Sequence, residues 1–213
     1  MGPIFLSASV PLPGRAPFDK DAEPQMIQAA VSALATVALG RRLIVWGGHP
    51  AITPMMWASA LDLGVQYAGA VRLFQSTLFQ DEFPEENRHF GNMTYVDAVD
   101  KDRERSLLKM RQQMLVSQPF ETAVFIGGME GIFDEQALFS RLHPNAKCVP
   151  VAATGGAARV LADKLQYKVP SDIGPLDFIS LFYRELNISP KERRKEMSRS
   201  AVPRSIGRPR QGL

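Results

Sequence analysis

TAVFIGGMEGIFDE, Thr122 to Glu135, is the stretch whose reading decides the fold. Ala123 to Ile126 is an apolar run with no polar alternation, the pattern of a strand buried on both faces of a sheet. Gly127, Gly128 and Gly131 then remove the β-carbons from a tight turn, and Ile132 to Leu142 follows with helical spacing and carboxylates at Asp134 and Glu135. A strand that leaves through a glycine turn into a helix gathers free backbone N–H groups and the positive end of the helix dipole at one point, which suits a phosphate. The same glycines would serve a plain connection between strand and helix, so both readings stay open at this turn.

The alternation continues on either side. Pro3 to Ser9 reads as a first strand that ends in Ser7, Ser9 and a proline-rich loop carrying Arg15, where the serines and Arg15 either contact a ligand or start a turn and stay solvated; Ala22 to Leu39 reads as a helix with Ile27, Val31 and Leu34 on one face and Gly40 as its stop. Arg42 to Val45 is a second strand that enters the turn Gly47-Gly48-His49, and a helix from Thr53 to Leu63 follows, opened by Pro54. His49 either contacts a phosphate or ribose, or serves its own loop. Ala70 to Phe74 and Thr94 to Ala98 are further strand segments, separated by a polar stretch, 75–92, that reads as a long loop or an interaction lobe. Asp100 to Leu115 is a helix bearing Arg105 and Arg111, each suited to a forked pair of hydrogen bonds with phosphate. Lys147 to Val151 enters a third small-residue turn, Thr154-Gly155-Gly156, whose helix runs to about Leu165, and Leu176 to Leu186 is a last amphipathic helix that caps the domain or packs on a second subunit.

Three glycine turns at strand carboxyl ends favour a ligand cleft over connection geometry, because an α/β sheet gathers those ends along one edge. The expected ligand contacts are Ser7, Ser9, Gly47, Gly48, His49, Met129, Glu130, Thr154 and the remaining turn glycines, Gly127, Gly128, Gly131, Gly155 and Gly156. Arg105 or Arg111 would pair with the anionic group, and Glu135 would face a ribose.

Composition bounds the rest. A chain of 213 residues allows one α/β domain with a sizeable core, and no segment approaches the roughly 20 apolar residues that cross a bilayer, so a cytoplasmic protein is expected. Cys148 is the single cysteine, which excludes an intramolecular disulfide and a cysteine-based metal site; no cofactor and no metal are expected. The basicity belongs to one end: residues 191–213 carry eight Lys/Arg against two Glu, which leaves 17 Lys/Arg and 20 Asp/Glu in residues 1–190. A domain over 1–190 and a basic, disordered tail over 191–213 are therefore expected. Solvation suffices to explain such a tail, so nucleic acid is not the expected partner.

In order along the chain, IFLSAS, GGHPAITP, RSLLKMRQQM, GGMEGIFDE and ATGGAARVLA resemble the SLOG superfamily, which includes the Lonely Guy cytokinin-activating enzymes and the Smf/DprA proteins. The likeness spans about residues 3–165 and is nearest to stand-alone SLOG domains of bacterial conflict and antiviral systems. It implies an open, mostly parallel Rossmann-like sheet with helices on both faces, and binding or sensing of a nucleotide-derived ligand of the ADP-ribose, NAD or cyclic-nucleotide kind. A homodimer or higher homo-oligomer, an effector protein and no membrane partner go with that reading. The enzymatic branch carries PGGxGTxxE, in which the glutamate and an upstream arginine cleave the N-glycosidic bond of a nucleoside 5′-monophosphate. Glu135 aligns with that glutamate and Arg111 or Arg105 with the arginine, as catalytic residues if the protein is an enzyme. The segment departs from the motif at Ile126 for the proline, at Glu130, which lengthens the turn, and at Ile132 for the threonine.

Overall fold

The apolar strand runs pair into one sheet in the computed structural model, which describes residues 2–196. The strands are β1 (Ile4–Ser9), β2 (Ile44–Trp46), β3 (Val71–Ser76), β4 (Met93–Val96), β5 (Thr122–Gly127) and β6 (Lys147–Val151). All neighbours pair parallel in the order β4-β3-β2-β1-β5-β6, with Ile4 opposite Ile44 on one side and Ser9 opposite Gly127 on the other. The helices are α1 (Pro24–Ala38), α2 (Thr53–Leu63), α3 (Arg103–Val116), α4 (Gly131–Leu142), α5 (Gly156–Lys164) and α6 (Phe178–Glu185). From β1 the chain steps outward to β4 and then returns to the opposite side of β1 as β5, so the strand order reverses between β1 and β5. Open sheets of this kind take ligands in the crevice at that reversal, beyond the strand carboxyl ends.

Alternation along each strand divides the core into two layers. Ile4, Leu6, Val124 and Ile126 pack with α1, α2 and α6, while Phe5, Ala123 and Phe125 pack with α3, α4 and α5. The second layer centres on aromatic rings: Phe139 of α4 stacks on Phe5 at 5.7 Å between centroids and is fully buried. Helices thus cover both faces, and α6 lies against α1 through Phe178, Leu181 and Phe182, capping the domain from within the chain.

Three segments differ from the sequence reading. β2 begins at Ile44 rather than Arg42, because Arg41 N and Arg42 N both donate back to Ala38 O, at 2.9 and 2.8 Å, which holds Arg42 in the turn that closes α1; its guanidinium reaches Glu192 Oε1 at 2.5 Å and Asn187 O at 3.3 Å. β3 continues to Ser76, which brings Gln75 to the neighbouring glycine turn. The rest of the polar stretch, 77–92, is the crossover from β3 to β4, built of short helical turns at Thr77–Glu82 and Glu85–His89; His89 stacks on Trp57 at 4.6 Å and Phe90 is buried, so it is docked on α2.

The start of the basic segment is also tied down. Arg194 donates to Leu39 O and Thr36 O, both at 2.5 Å, and Lys195 N donates to Gly40 O, so a cation satisfies the last carbonyls of α1 where the helix dipole is negative. Residues 197–213, the remainder of the expected tail, lie outside the described residues. Among the described residues no helix is long and apolar enough to cross a membrane.

The aromatic layer sets a stability test. Phe139→Ala removes a fully buried ring that Phe5 and Phe120 cannot refill, and should lower unfolding stability by about 3–5 kcal/mol in urea denaturation, with an unchanged m-value.

Candidate functional site

The glycine turns after β5 and β6 meet at the rim. Gly128 N donates to Ser9 O at 2.8 Å, Gly127 N to Thr154 Oγ1 at 2.8 Å and Ala157 N to Gly128 O at 2.9 Å, so the ends of β1, β5 and β6 are laced together. Gly155 has φ +67°, and a Cβ there would lie 1.9 Å from Asp21 O, which only glycine permits. Gly156 N donates to Asp21 Oδ1 at 3.1 Å and Gly155 N to Ala152 O at 3.0 Å. The sequence reading has these glycines offering bare amides to a ligand. In the structure the amides of Gly127, Gly128, Gly155 and Gly156 are bonded within the chain, and the absent β-carbons admit neighbouring protein atoms, backbone at Gly155 and Gly156 and the Ile27 and Ile132 side chains at Gly127 and Gly128. The turn after β2 is filled in a different way: Gln75 Nε2 donates to Gly47 O at 3.0 Å and Gly48 O at 2.7 Å.

The open amides lie one step further on. Those of Met129, Glu130 and Gly131 have no acceptor among the described residues, whereas the next two, Ile132 N and Phe133 N, bond back to Met129 O and Glu130 O. They therefore form the donor head of α4, beside the strand-order reversal. Across that head lies Arg111 of α3. Its Nε is 3.1 Å from Glu135 Oε1 and its Nη1 3.2 Å from Asp134 Oδ2, and a Cβ on Gly131 would fall 2.7 Å from its Nη2. Arg111 and Glu135 are largely buried, at 15% and 16% side-chain exposure.

Met110, one residue back on α3, sits 3.4 Å from where a Gly47 Cβ would be, so α3 spans from the β2 turn to the β5 turn. Between those turns run Ser7 and Ser9 of β1. Ser7 lies on the face that Phe5 turns toward α3 and α4, is only 4% exposed, and its hydroxyl has no hydrogen-bond partner among the described residues.

Of the two arginines left open by the sequence, the structure brings Arg111 to Glu135 and leaves Arg105 on the exposed start of α3, 2.7 Å from Asp100. Thr154 is used in the rim, and His49 serves its own loop: its Nδ1 accepts from Ala51 N at 3.2 Å and its carbonyl from Ile52 N and Thr53 N. The sequence reading missed Asp21, which ties the loop 10–23 to Gly156 N and to Arg159 at 3.2 Å, and Phe18, buried against Phe133. Nothing in a proline-rich loop signals contacts of that separation. A depression of ≈ 580 Å³ lined by Pro3, Phe120, Glu121 and His143 lies at the opposite, amino-terminal edge of the sheet, remote from the donor head of α4. Among the described residues no group of three or more His, Cys, Asp or Glu side chains is placed to hold a metal ion.

Burial pushes the His49 imidazole below its ordinary 6.5, so the folded chain holds it neutral, with Nδ1 as acceptor. The unfolded chain takes up its proton near 6.5 and the folded one resists it to lower pH. The stability this site contributes is therefore complete above about pH 6.5 and is lost as pH falls through the depressed folded value. Proton NMR should show His49 titrating below 6.5, and His49→Gln should reduce the loss of stability between pH 6.5 and 5.

A family model described as the SLOG cluster3 family matches residues 17–186, and the chain belongs to that family. No curated protein matches it. SLOG membership points to binding or processing of nucleotide-related molecules.

Proposed function

We propose that this SLOG cluster3 protein binds a nucleotide-derived ligand of the ADP-ribose, NAD or cyclic-nucleotide class and senses it. The anionic group would sit on the amides of Met129, Glu130 and Gly131, the ribose would face Glu135, and Ser7 and Ser9 would floor the crevice. The observation that carries this reading is the set of three unpaired amides at the head of the twelve-residue α4, beside the strand-order reversal and the Arg111–Glu135 pair. Arg111 offsets the charge of Asp134 and Glu135, so the helix head stays receptive to an anion. A role in bacterial antiviral defence, with binding reported through a change of shape or assembly to an effector protein, extends the same proposal.

A second reading, a phosphoribohydrolase acting on nucleoside 5′-monophosphates, is favoured by one contact. Arg111 and Glu135, the residues aligned with that chemistry, lie 3.1 Å apart and largely buried. A carboxylate beside the ribose stabilises the cationic sugar formed when the N-glycosidic bond breaks, or activates the attacking water. Weighing against it, Ile132 stands where the enzymes carry threonine, and it is buried with its Cδ1 filling the space over Gly128, so the turn offers no hydroxyl.

Incubation with nucleoside monophosphates, NAD and ADP-ribose separates the readings. A sensor should show a thermal shift and no released base, with a ligand at 100 times its Kd adding about 2.7 kcal/mol of stability. Free base by chromatography, abolished by Glu135→Gln, would instead establish the hydrolase. Neither shift nor base with any member of the panel would sink both.

A further inference from the structure

We infer that Arg15 is the cation that recognises the ligand's phosphate, and that its ion pair with Glu130 keeps that place until the ligand displaces the carboxylate; the inference rests on the binding reading above. Arg15 is carried toward the head of α4 by the loop 10–23, and that loop is pinned. Phe18 is buried with its ring 6.0 Å from Phe133, Gly14 N donates to Asp19 Oδ2 at 2.7 Å, and Asp21 and Glu23 are bonded to the β6 turn. From there Arg15 Nη2 reaches Glu130 Oε2 at 3.3 Å, and Glu130 is one of the three residues whose amides are open.

The strength of that pair decides what it is for. Both side chains are more than half exposed, at 56% and 60%, so water and salt weaken the attraction and it fixes little by itself. A guanidinium on a phosphate makes two parallel charge-assisted hydrogen bonds, a better partner than one long contact to a solvated carboxylate. Exchange of Glu130 for phosphate therefore runs in favour of the ligand, and it adds a positive charge where the amides already point.

The other arginines near this edge already have partners of their own. Arg111 is held between Asp134 and Glu135, Arg105 lies on Asp100, and Arg159 donates to Asp21 and to Ala152 O. An independent sign that the crevice takes a ligand is Ser7. The residue is 4% exposed, its hydroxyl has no partner among the described residues and keeps contact with solvent, so it is open to a ligand at the crevice where its strand ends. The ligand class is thus a ribose derivative with a phosphate or pyrophosphate for Arg15 and the amides, and a polar group for Ser7.

Calorimetric titration of the full chain with AMP, ADP-ribose and NAD, with adenosine as the control lacking phosphate, tests the assignment in wild type, Arg15→Gln and Glu130→Gln. Arg15→Gln should weaken the phosphate-bearing ligand about tenfold and flatten its salt dependence, with an unchanged ligand-free melting temperature as the check on folding. Glu130→Gln should tighten binding severalfold, because it releases Arg15 and removes a negative charge beside the open amides. Opposite signs are the signature of a displaced carboxylate, since a purely structural pair would weaken binding in both variants. Unchanged affinity in Arg15→Gln, or weakening by both substitutions, overturns the role of Arg15 and leaves the binding reading standing. A wild-type chain that binds none of the panel overturns both.

Discussion

Everything at the candidate site follows from the pairing of β1 with β5 at the centre of the sheet. β1 is buried on both faces and pairs over its whole length with a strand more than a hundred residues away, Ile4 opposite Thr122 through Ser9 opposite Gly127. All six strands run parallel, so every carboxyl end lies on one edge. The order reverses at this pair, which sends the chain leaving β1 and the chain leaving β5 in different directions. Hydrogen bonding between central strands therefore fixes where an opening can exist, and neither neighbouring crossover can close it.

Polar satisfaction decides what that opening offers. Buried backbone groups left without partners are unfavourable, and the rim meets the demand with its own atoms: Thr154 for Gly127, Ser9 for Gly128 and Asp21 for Gly156. Where the chain turns into α4 that supply ends, since the first amides of a helix have no carbonyl one turn behind them. Acidic residues in the first turn complement the helix dipole but also repel an anion, and Arg111 resolves that conflict by lying across Asp134 and Glu135. The bare Gly131 beneath it is what allows a guanidinium to lie so close.

The alternation of apolar runs and helical spacing was enough to read the parallel architecture, and the exact bounds of α2 and β6 follow from Pro54 and from the run Lys147 to Val151. The glycine turns were also legible as close approaches, but a missing β-carbon says that something comes near and not what it is. At Gly155 the neighbour is the backbone of Asp21, and at Gly48 the amide of Gln75, contacts made across the fold by residues of ordinary type in loop and strand. Arg105 and Arg111 posed a similar problem. Their spacing puts them on different faces of one helix, and only the placement of Glu135 on α4 distinguishes them. The family match, over residues 17–186, begins after β1, so the readings of Ser7 and Ser9 rest on the strand register and on burial.

The Arg111–Glu135 pair bears on binding and chemistry in unequal ways. Glu135 uses one carboxylate oxygen on Arg111 Nε, which fixes the orientation of the group and turns the second oxygen to other partners. A carboxylate oriented in this way is well suited to accept hydrogen bonds from ribose hydroxyls, and it needs no further group to do so. Cleavage asks for more: a phosphate held rigidly enough to keep the sugar carbon against the carboxylate, with water admitted on one side only. In the enzymes' motif the turn contributes a hydroxyl, and here that position is a buried isoleucine facing the core. A longer turn with Glu130 inserted puts a solvated carboxylate at the mouth instead. On the proposed reading, the departures remove rigidity from the end that would hold the phosphate and keep the carboxylate that would face the ribose, the combination expected of a site that recognises its ligand and releases it unchanged.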